Sequence, residues 1–355
     1  MKFSPRKKNS GFAVIVALVS VTVLTILAGA FAYAMKIETR LAANANHDEQ
    51  MLWLGRSGVE LARYVLAIEN NQPFDALNQI WAGGPGAGPE TNSPLAGISL
   101  TDYPMGEGTV SLKITDLERK VNVNAAPPPL IEQTLTAMGV DAGNISVVSD
   151  SIADWIDPDD ATKPGGAESD YYQGMNPPYY AKNAPIDDIS ELLRIKGVTP
   201  GMFDGTGQED DTGAPFQHHQ MGLGHTFSQE PHYAFYLTNV FTPFGSGKIN
   251  INTADQNALL LLGLDTASVE SILKFRAGGD GVDGTEDDMP FQNPGMLTAA
   301  GISQEAAQKV AQYITTKSTT FEVHVTARIH DLSREYVAII WRNGASAQTV
   351  GFYWK

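Results

Sequence analysis

The chain contains no cysteine among its 355 residues, and basic residues are scarce relative to acidic ones. The absence of cysteine excludes disulfides and thiolate chemistry, so any metal ion would have to be bound through oxygen or imidazole. The count of 24 Lys and Arg against 40 Asp and Glu gives a formal net charge of −16. This balance argues against a nucleic-acid partner, because phosphates demand a positive surface. It fits an acidic body, or one that collects divalent cations.

The first long apolar segment lacks any charged residue. It runs for 24 residues from Phe12 to Met35, about 36 Å as a helix, which is long enough to span a bilayer with some tilt. The residues before it are basic and include no acid: Lys2, Arg6, Lys7 and Lys8. The positive-inside rule therefore predicts a cytoplasmic amino terminus, a single pass through the membrane, and a body on the far side.

Two simpler interpretations of this segment stay open. A cleaved secretory signal has an apolar core of about 7–15 residues followed by a small-residue site, and Ala28-Gly29-Ala30 offers a weak site of that kind. The other interpretation is a signal anchor on a soluble domain.

Apolar residues continue at three- and four-residue steps as far as Leu66, which predicts one helix from about residue 12 to residue 68.

Two regions with strand patterns flank the body of the chain. Apolar and polar residues alternate in TVSLKITDLERKVNVN, residues 109–124, and in FEVHVTARIHDLSREYVAIIWRN, residues 321–343. In the second region the alternate apolar residues from Phe321 to Ile329 are expected on one face. His324 and His330 are expected on the opposite face, as solvated strand residues and not as metal ligands.

The region between the strands contains an internal repeat. KVNVNAAPPPLIEQTL begins at Lys120 and KININTADQNALLLL begins at Lys248. Both share the order Lys, branched aliphatic, Asn, branched aliphatic, Asn, small, Ala, and both continue into an apolar helix. We interpret Asn124 and Asn252 as caps or turn formers before these helices. The repeat predicts that one physical unit is used twice.

Within each copy, one device joins successive helices. A glycine ends a helix with positive φ, an aliphatic residue turns inward, and Asp, Thr or Ser caps the next helix; the glycines are Gly139, Gly197, Gly263 and Gly301. This pattern resembles the helix–hairpin–helix motif, and ININTA resembles the competence-type DNA receptors. The segments carry acids where phosphate binding needs basic residues, so a membrane-anchored DNA receptor of that class is the alternative and not the leading hypothesis.

The amino-terminal motif resembles that of the type IV prepilin class. Lys8-Asn9-Ser10-Gly11-Phe12 followed by a long apolar helix is typical of pilins and of type II secretion pseudopilins. The resemblance implies cleavage by a prepilin peptidase between Gly11 and Phe12, N-methylation of Phe12, and retention of the apolar segment as an assembly helix. Most members of the class carry glutamate at the fifth mature position, where this chain has Val16. That departure is a trait of the K-type minor pseudopilins.

The resemblance to K-type pseudopilins covers essentially the full chain, and SIADWIDPDD with PGGAESDYY, within residues 151–172, is a specific match. It implies an α+β fold, in which a long pilin-like amino-terminal helix packs on a small antiparallel sheet and a large helical domain is inserted between the strands. The implied divisions are a leader at 1–11, a transmembrane and assembly helix at 12–70, the first part of the β domain at 71–123, a duplicated helical insert at 124–316 with halves of about 124–245 and 248–316, and carboxyl-terminal strands at 317–355.

The resemblance also implies a function and a location. A K-type minor pseudopilin starts or caps the type II secretion pseudopilus at its tip and helps to export folded proteins across the outer membrane. Its implied partners are the I-type and J-type minor pseudopilins, the inner-membrane secretion platform and the prepilin peptidase, with no nucleic acid. The implied location is the inner membrane, with a single pass and the body in the periplasm.

Carboxylates concentrate in three glycine-containing loops, which makes each a candidate calcium site. Crowded carboxylates repel one another, and Ca²⁺ relieves that repulsion by taking six to eight oxygens from a flexible loop. K-type pseudopilins resemble calcium binders in their insert, although no loop here has EF-hand spacing. By spacing, the best candidate ligands are Asp280, Asp283, Asp287 and Asp288. The weaker candidates are Asp204, Asp210, Asp211, Asp157, Asp159 and Glu168. A solvated acidic loop without a metal ion is the alternative for each.

One pair of carboxylates also allows a catalytic interpretation. Asp154 and Asp157 are three residues apart and could share a helix face, as paired carboxylates do in acid–base catalysis. A signal-anchored periplasmic hydrolase is therefore a second alternative. The sequence offers no nucleophile with a neighbouring base and no phosphate-binding loop, so we expect the protein not to be an enzyme.

Overall fold

The computed structural model describes residues 10–86, 94–95, 97–206, 233–344 and 346–354. Its first element, helix α1 (Ser10–Glu69), contains 60 residues. The stretch Phe12–Thr39 of this helix has a mean hydropathy of 2.6 and no buried residue, so it is long and apolar enough to cross a membrane. The single long helix expected from the sequence is therefore present.

Strands before and after a large insert form one antiparallel sheet. The strands of the described residues, numbered along the chain, are β1 (Tyr103–Met105), β2 (Gly108–Asp116), β3 (Val121–Asn122), β4 (Phe241–Thr242), β5 (Ile249–Asn250), β6 (Ile314–Thr315), β7 (Thr320–Ile329), β8 (Leu332–Asn343) and β9 (Ser346–Trp354). The sheet has the order β1-β2-β7-β8-β9 with antiparallel pairing throughout. The β7–β8 turn passes through His330, which has a φ of 52°, so His330 is a turn residue and not the strand residue predicted.

The second half of α1 packs on one face of this sheet at very short range. Glycines permit the approach: a β-carbon on Gly55 would lie 2.5 Å from the ring of Tyr336, and one on Gly58 would lie 2.4 Å from Cγ1 of Val325. The alternate apolar residues of β7, from Phe321 to Ile329, are buried beneath the helix as predicted. Helix and sheet thus form a single hydrophobic core.

The insert lies between β2 and β7 and has a hydrophobic core of its own. Its α-helices are α2 (Pro128–Met138), α3 (Ala142–Ile156), α4 (Ser169–Gln173), α5 (Pro200–Phe203), α6 (Leu237–Val240), α7 (Gln256–Leu260), α8 (Thr266–Arg276) and α9 (Gln304–Val310). Short 3₁₀ helices cover Ile189–Arg194 and Pro294–Ala300. The α+β fold, with a helical domain inserted in a pilin-like sheet, is confirmed.

The sequence repeat corresponds to a repeated structural unit. Strand β3 pairs in parallel with β4, and β5 pairs in parallel with β6. In the first copy the side chain of Asn124 accepts a hydrogen bond from Ile186 N at 2.7 Å and donates to Ile186 O at 2.9 Å. In the second copy Asn252 makes the same pair of bonds to Phe291, at 2.8 and 2.9 Å. These two asparagines therefore tie down distant loops, and the caps of α2 and α7 are Pro127 and Asp255.

The four hairpin glycines have the predicted positive φ, between 80° and 88°. The residues expected to cap the following helices do so in three of the four cases. Thr199, Asp265 and Ser303 accept hydrogen bonds from backbone amides in the first turns of α5, α8 and α9. Asp141 precedes α3 without such a side-chain bond. The glycine turn is therefore common to all four connections, whereas the side-chain cap of the following helix is present in three of them.

A buried polar cluster joins the insert to the sheet at the end of β2. Asp116 Oδ2 accepts hydrogen bonds from the side chains of Asn250, Thr253 and Ser318, at 3.0, 2.5 and 2.7 Å. Burial raises the pKa of Asp116 to about 7. Beside it, the buried guanidinium of Arg342 is paired with the buried carboxylate of Asp75. The start of the second half of the insert is thus fixed to the end of β2 through polar contacts.

Candidate metal centre

Helix α3 ends in the first acidic loop, where three carboxylates converge. Pro158 prevents the helix from continuing, so the chain turns after Asp157. One oxygen each from Asp157, Asp159 and Glu168 lies within 4.8 Å of the other two. This separation is short enough for three oxygens to contact one cation. Among the residues that the structure describes, this is the acidic group with metal-ligand spacing.

Glu168 is buried in this group and lacks hydrogen-bond partners. The residue is 3% exposed, and neither of its carboxylate oxygens has a protein partner. Asp157 Oδ1 is likewise buried and unpaired. Burial and the neighbouring carboxylates of Asp154 and Asp157 raise the pKa of Glu168 to about 7. A buried carboxylate without a donor is costly, and a bound cation would supply what these oxygens lack.

Lys163 supplies the positive charge that lies closest to the group. Its Nζ donates to Asp154 Oδ1 at 3.1 Å and to Asp157 Oδ2 at 2.5 Å. The bond to Asp157 raises the pKa of the Lys163 amine above its usual range. Asp154 is 0% exposed, so its carboxylate is enclosed by protein. The Asp154–Asp157 pair considered as a catalytic dyad is instead bridged by an ammonium group.

Glycines after Lys163 bring the backbone against the acidic loop. A β-carbon on Gly166 would lie 1.9 Å from Asp154 Oδ2, so no larger residue fits at that position without displacing the carboxylate. The amide of Gly165 donates to Asp150 Oδ2 at 2.9 Å. From the other side, Lys196 Nζ donates to Gly165 O and Gly166 O at 3.1 and 2.8 Å. The loop that carries the three carboxylates is therefore fixed in position.

The third acidic loop, predicted from spacing as the best calcium site, uses its carboxylates internally. Asp283 forms a two-pronged ion pair with the buried Arg276, at 3.0 and 2.7 Å. Asp287 accepts from the amides of Gly279 and Asp280 at 2.7 and 2.9 Å. Asp288 accepts from the Gly284 amide, and Asp280 accepts from the amide two residues later. These four residues stay a prediction as ligands, and each already has a protein donor.

The second acidic loop lies mostly outside the described residues. Asp204 accepts hydrogen bonds from Thr206 N and Oγ1 at 2.9 and 2.6 Å. Those bonds lower the pKa of the exposed Asp204 carboxyl. Asp210 and Asp211 are not among the residues that the structure describes. Asp204 acts as a turn residue after α5, and its role as a metal ligand stays a prediction.

The predicted processing segment lies at the start of α1. The helix begins at Ser10, so the bond between Gly11 and Phe12 is within its first turn. Phe12 and Val16 are 73% and 49% exposed. The apolar half of the helix thus presents these side chains to its surroundings, which for a membrane span are lipid or neighbouring helices. The cleavage itself stays a prediction.

We expect the metal-free protein to lose stability as pH rises through the titration of Glu168. Its folded-state pKa of about 7 lies above the ordinary 4.5, so the folded chain holds a proton in that window that the unfolded chain has released. Stability should therefore fall from about pH 4.5 to 7. In Glu168→Gln this slope should be smaller, because one carboxyl group with a raised pKa is removed while those of Asp116 and Glu69 remain. Unfolding midpoints in EDTA between pH 5 and 8 test this; parallel profiles for the two proteins would contradict it.

Comparison with known proteins agrees with this architecture. Residues 112–205 match the family described as type II secretion system protein K, and they contain the acidic group around Glu168. The chain is 26% identical over 211 residues to the putative type II secretion system protein K of Escherichia coli K12, covering 55% of this chain and 60% of that protein. It is 27% identical over 208 residues to protein K of Pseudomonas aeruginosa, covering 54% and 58%. The resemblance to the type II secretion K proteins that the sequence predicted is therefore confirmed over these residues.

The fold of the K proteins extends over most of the chain. A solved GspK–GspI–GspJ complex from the type 2 secretion system of enterotoxigenic E. coli contains a chain that superposes with a TM-score of 0.63. The match covers 88% of this chain and 99% of that one, at 17% identity. In sequence, this chain spans about 60% of the length of the curated K proteins that it matches. The structural match thus supports the fold over most of the chain.

The sequence predicts the three carboxylates of the acidic group as candidate ligands, but it does not predict the residues that shape the group. These residues are Lys163 and Gly166, and Lys-Pro-Gly-Gly begins three residues after the last acid of the run, Asp160. A lysine, a proline and a glycine pair shortly after crowded acids form the signal that could have indicated a return of the backbone toward those acids. Asp154 was considered for catalysis, whereas its burial beside Lys163 makes it part of the support for this group.

Proposed function

We propose that this protein is a minor pseudopilin placed at the tip of a type II secretion pseudopilus, where it starts or caps the filament. The observation that carries this proposal is the joining of an apolar helix, unburied from Phe12 to Thr39, to a sheet with a large helical insert. The apolar half has no internal partner, as expected of a segment that packs in a membrane and then in a filament core. Through this subunit the filament helps to export folded proteins across the outer membrane.

Val16 supports a terminal position in the filament. In an ordinary subunit, the acid at the fifth mature position can pair with the methylated amino terminus of a neighbouring subunit. An unpaired charge in an apolar core is costly. A subunit with Val16 neither needs nor offers that partner. The amino terminus of this subunit could pair with the acid of one neighbour, but the subunit has no acid to offer to the terminus of another. Pairing with one neighbour only suits the first or last subunit of a stack.

The insert supports the same position by its location. It is joined to the sheet beside the carboxyl end of α1, where Lys317 Nζ donates to Asn70 O and Gln72 O. The helical domain is therefore at the end of the molecule farthest from the apolar segment. A subunit stacked above would meet this domain, so the insert would block further growth in that direction.

The partners that we propose are the I-type and J-type minor pseudopilins. The support is the solved complex in which a chain of this fold is accompanied by GspI and GspJ. In this protein, the part of α1 that covers the sheet keeps two large aromatic residues exposed, Trp53 at 57% and Tyr64 at 43%. They lie three helical turns apart on the outer side, and exposed aromatics are enriched in protein interfaces. This side of α1 is the contact surface that we assign to the partner helices.

The location that we propose is the inner membrane, with one pass and the body in the periplasm. The basic residues before the span keep the amino terminus in the cytoplasm, where a prepilin peptidase would remove the leader. The inner-membrane secretion platform would then load the mature subunit. The role is structural, and no step of it requires catalysis by this chain.

We further propose that the acidic group of the insert binds Ca²⁺. The residues present fit this ion: Asp157, Asp159 and Glu168 offer oxygens within 4.8 Å of one another, and the buried Glu168 oxygens have no protein partner. Ca²⁺ takes only oxygen ligands and tolerates irregular loop geometry. The ion would neutralise crowded carboxylates and hold the end of α3 to the start of α4, which stabilises the insert.

Processing by a prepilin peptidase tests the proposed function. We expect the mature protein, isolated from membranes that contain a prepilin peptidase, to begin with N-methylated Phe12. The variant Gly11→Ala should retain the leader, because in the prepilin class the peptidase cleaves after glycine. The amino terminus and its mass are read by peptide mass spectrometry. Gly29→Ala is the matched control, since it replaces a glycine of the same apolar helix outside the prepilin motif and should be processed normally. An intact terminus in the unmodified chain, or cleavage near Ala30, would contradict the proposal.

A further inference from the structure

We propose that Lys163 is a tethered competitor of the divalent cation. In the metal-free protein its ammonium group occupies part of the acidic group, and it releases Asp157 when the cation binds. This inference rests on the calcium site proposed above and adds a residue that sets its affinity. It also explains how the loop that carries these carboxylates stays folded when no metal ion is present.

The contacts of Lys163 show competition for one carboxylate. Nζ lies 2.5 Å from Asp157 Oδ2, while Asp157 is also one of the three residues that offer grouped ligand oxygens. A cation coordinated by Asp157 would lie close to this ammonium group and repel it. Asp157 Oδ1 has no protein partner. As long as Oδ2 stays bonded to the lysine, Oδ1 is therefore the one oxygen of this carboxylate that can bind a cation. Release of the lysine gives the cation both oxygens.

The side chain of Lys163 can leave without unfolding the loop. It is 37% exposed, so water can receive the ammonium group. The backbone of Lys163 is held independently: its amide donates to Asp154 Oδ2 at 3.1 Å, and its carbonyl accepts from the Gly166 amide at 2.9 Å. The buried Asp154 therefore keeps a donor after the ammonium group has moved away.

The charges explain why such a competitor is useful. Asp154, Asp157, Asp159 and Glu168 would otherwise face one another with no cation in contact, and like charges at this distance repel strongly. One ammonium group relieves part of that repulsion but cannot contact all of the oxygens. A divalent cation carries twice the charge and takes more ligands. The lysine therefore stabilises the metal-free loop and, for the same reason, weakens the binding of the ion.

Calorimetric titration of the full-length, detergent-solubilised protein with CaCl₂ tests this inference. In Lys163→Met, which retains most of the apolar stem, we expect Ca²⁺ to bind about tenfold more tightly than in the unmodified protein, because ligand charge sets the affinity of such sites. In EDTA the same variant should unfold at a lower temperature. Lys182→Met is the matched control, since Lys182 pairs with Asp187 and Glu191 outside the ligand group. It should leave the Ca²⁺ affinity unchanged.

A second measurement uses the unmodified protein, so its outcome does not depend on whether a variant folds. Acylation of lysines by an amine-reactive reagent, read by peptide mass spectrometry, should be faster at Lys163 with Ca²⁺ than with EDTA, whereas the rate at Lys182 should not change. Unchanged or weaker Ca²⁺ binding in Lys163→Met, or equal labelling of Lys163 in both conditions, would overturn the inference while leaving the calcium site intact. Absence of Ca²⁺ binding in both the unmodified protein and the variant would overturn the calcium site as well.

Discussion

Replacing Arg342 with methionine is expected to destabilise the protein by about 3–5 kcal/mol, the cost of leaving a buried charge without its partner. Arg342 is 2% exposed and its partner Asp75 is 0% exposed. The guanidinium also donates to Leu66 O at 3.2 Å and to Ser318 O at 2.7 Å, and it lies 4.8 Å from the ring centroid of Phe321. The substitution therefore removes one charge from a junction between α1, β7 and β8.

Urea unfolding of the solubilised protein, followed by circular dichroism, measures this loss. The matched control is Arg328→Met, because Arg328 is about half exposed and pairs with the exposed Asp102. That surface pair is expected to contribute only about 0–1 kcal/mol. The double variant Asp75→Asn with Arg342→Met should recover part of the lost stability, since no unpaired charge then remains. Equal shifts of the urea midpoint in Arg342→Met and Arg328→Met would contradict this account of the junction.

Ca²⁺ binding is expected to weaken by about 100-fold or more in Glu168→Gln, because the substitution removes both a charge and a buried oxygen ligand. The side chain keeps its size, and its amide can donate to the neighbouring carboxylates. The metal-free protein should therefore stay folded. Isothermal titration calorimetry of the full chain gives the affinity, and the Ca²⁺-induced rise in unfolding temperature gives an independent measure.

The third acidic loop supplies the control for this experiment. Asp283→Ala and Asp287→Ala remove two carboxylates from the loop that spacing alone favoured. Because Asp283 is paired with Arg276 and Asp287 accepts backbone amides, we expect Ca²⁺ affinity to stay within about twofold of the unmodified value in both variants. Loss of binding in these variants, together with retained binding in Glu168→Gln, would move the site to the third loop.

The long helix and the sheet could be predicted from the sequence because their patterns are local. An uncharged run before Met35 and the alternation from Phe321 to Ile329 depend only on neighbours along the chain. The repeat was visible for the same reason. The roles of its asparagines were not, because Asn124 bonds to Ile186 and Asn252 bonds to Phe291, at distances in sequence that no local pattern encodes.

The candidate site shows the same limit more clearly. Spacing counts the carboxylates of a loop but not the donors that reach them from elsewhere. In the third loop one donor is Arg276, the last residue of α8. Nothing in the sequence of that helix indicates that it pairs with an acid of the loop. In the first loop the buried Glu168 has no donor at all. The difference between the two loops depends on burial and partners, which only the fold determines.

Strands β2 and β7 are neighbours in register, with Asp116 opposite Phe321. The whole insert is therefore the connection between two antiparallel neighbouring strands, which makes it a hairpin loop of unusual length. The entropy of closing such a loop grows only slowly with its length, so a sheet that accepts a short turn at this position can also accept a second folded body. The insert can thus be a separate folded body without changing the pairing of the strands on either side of it.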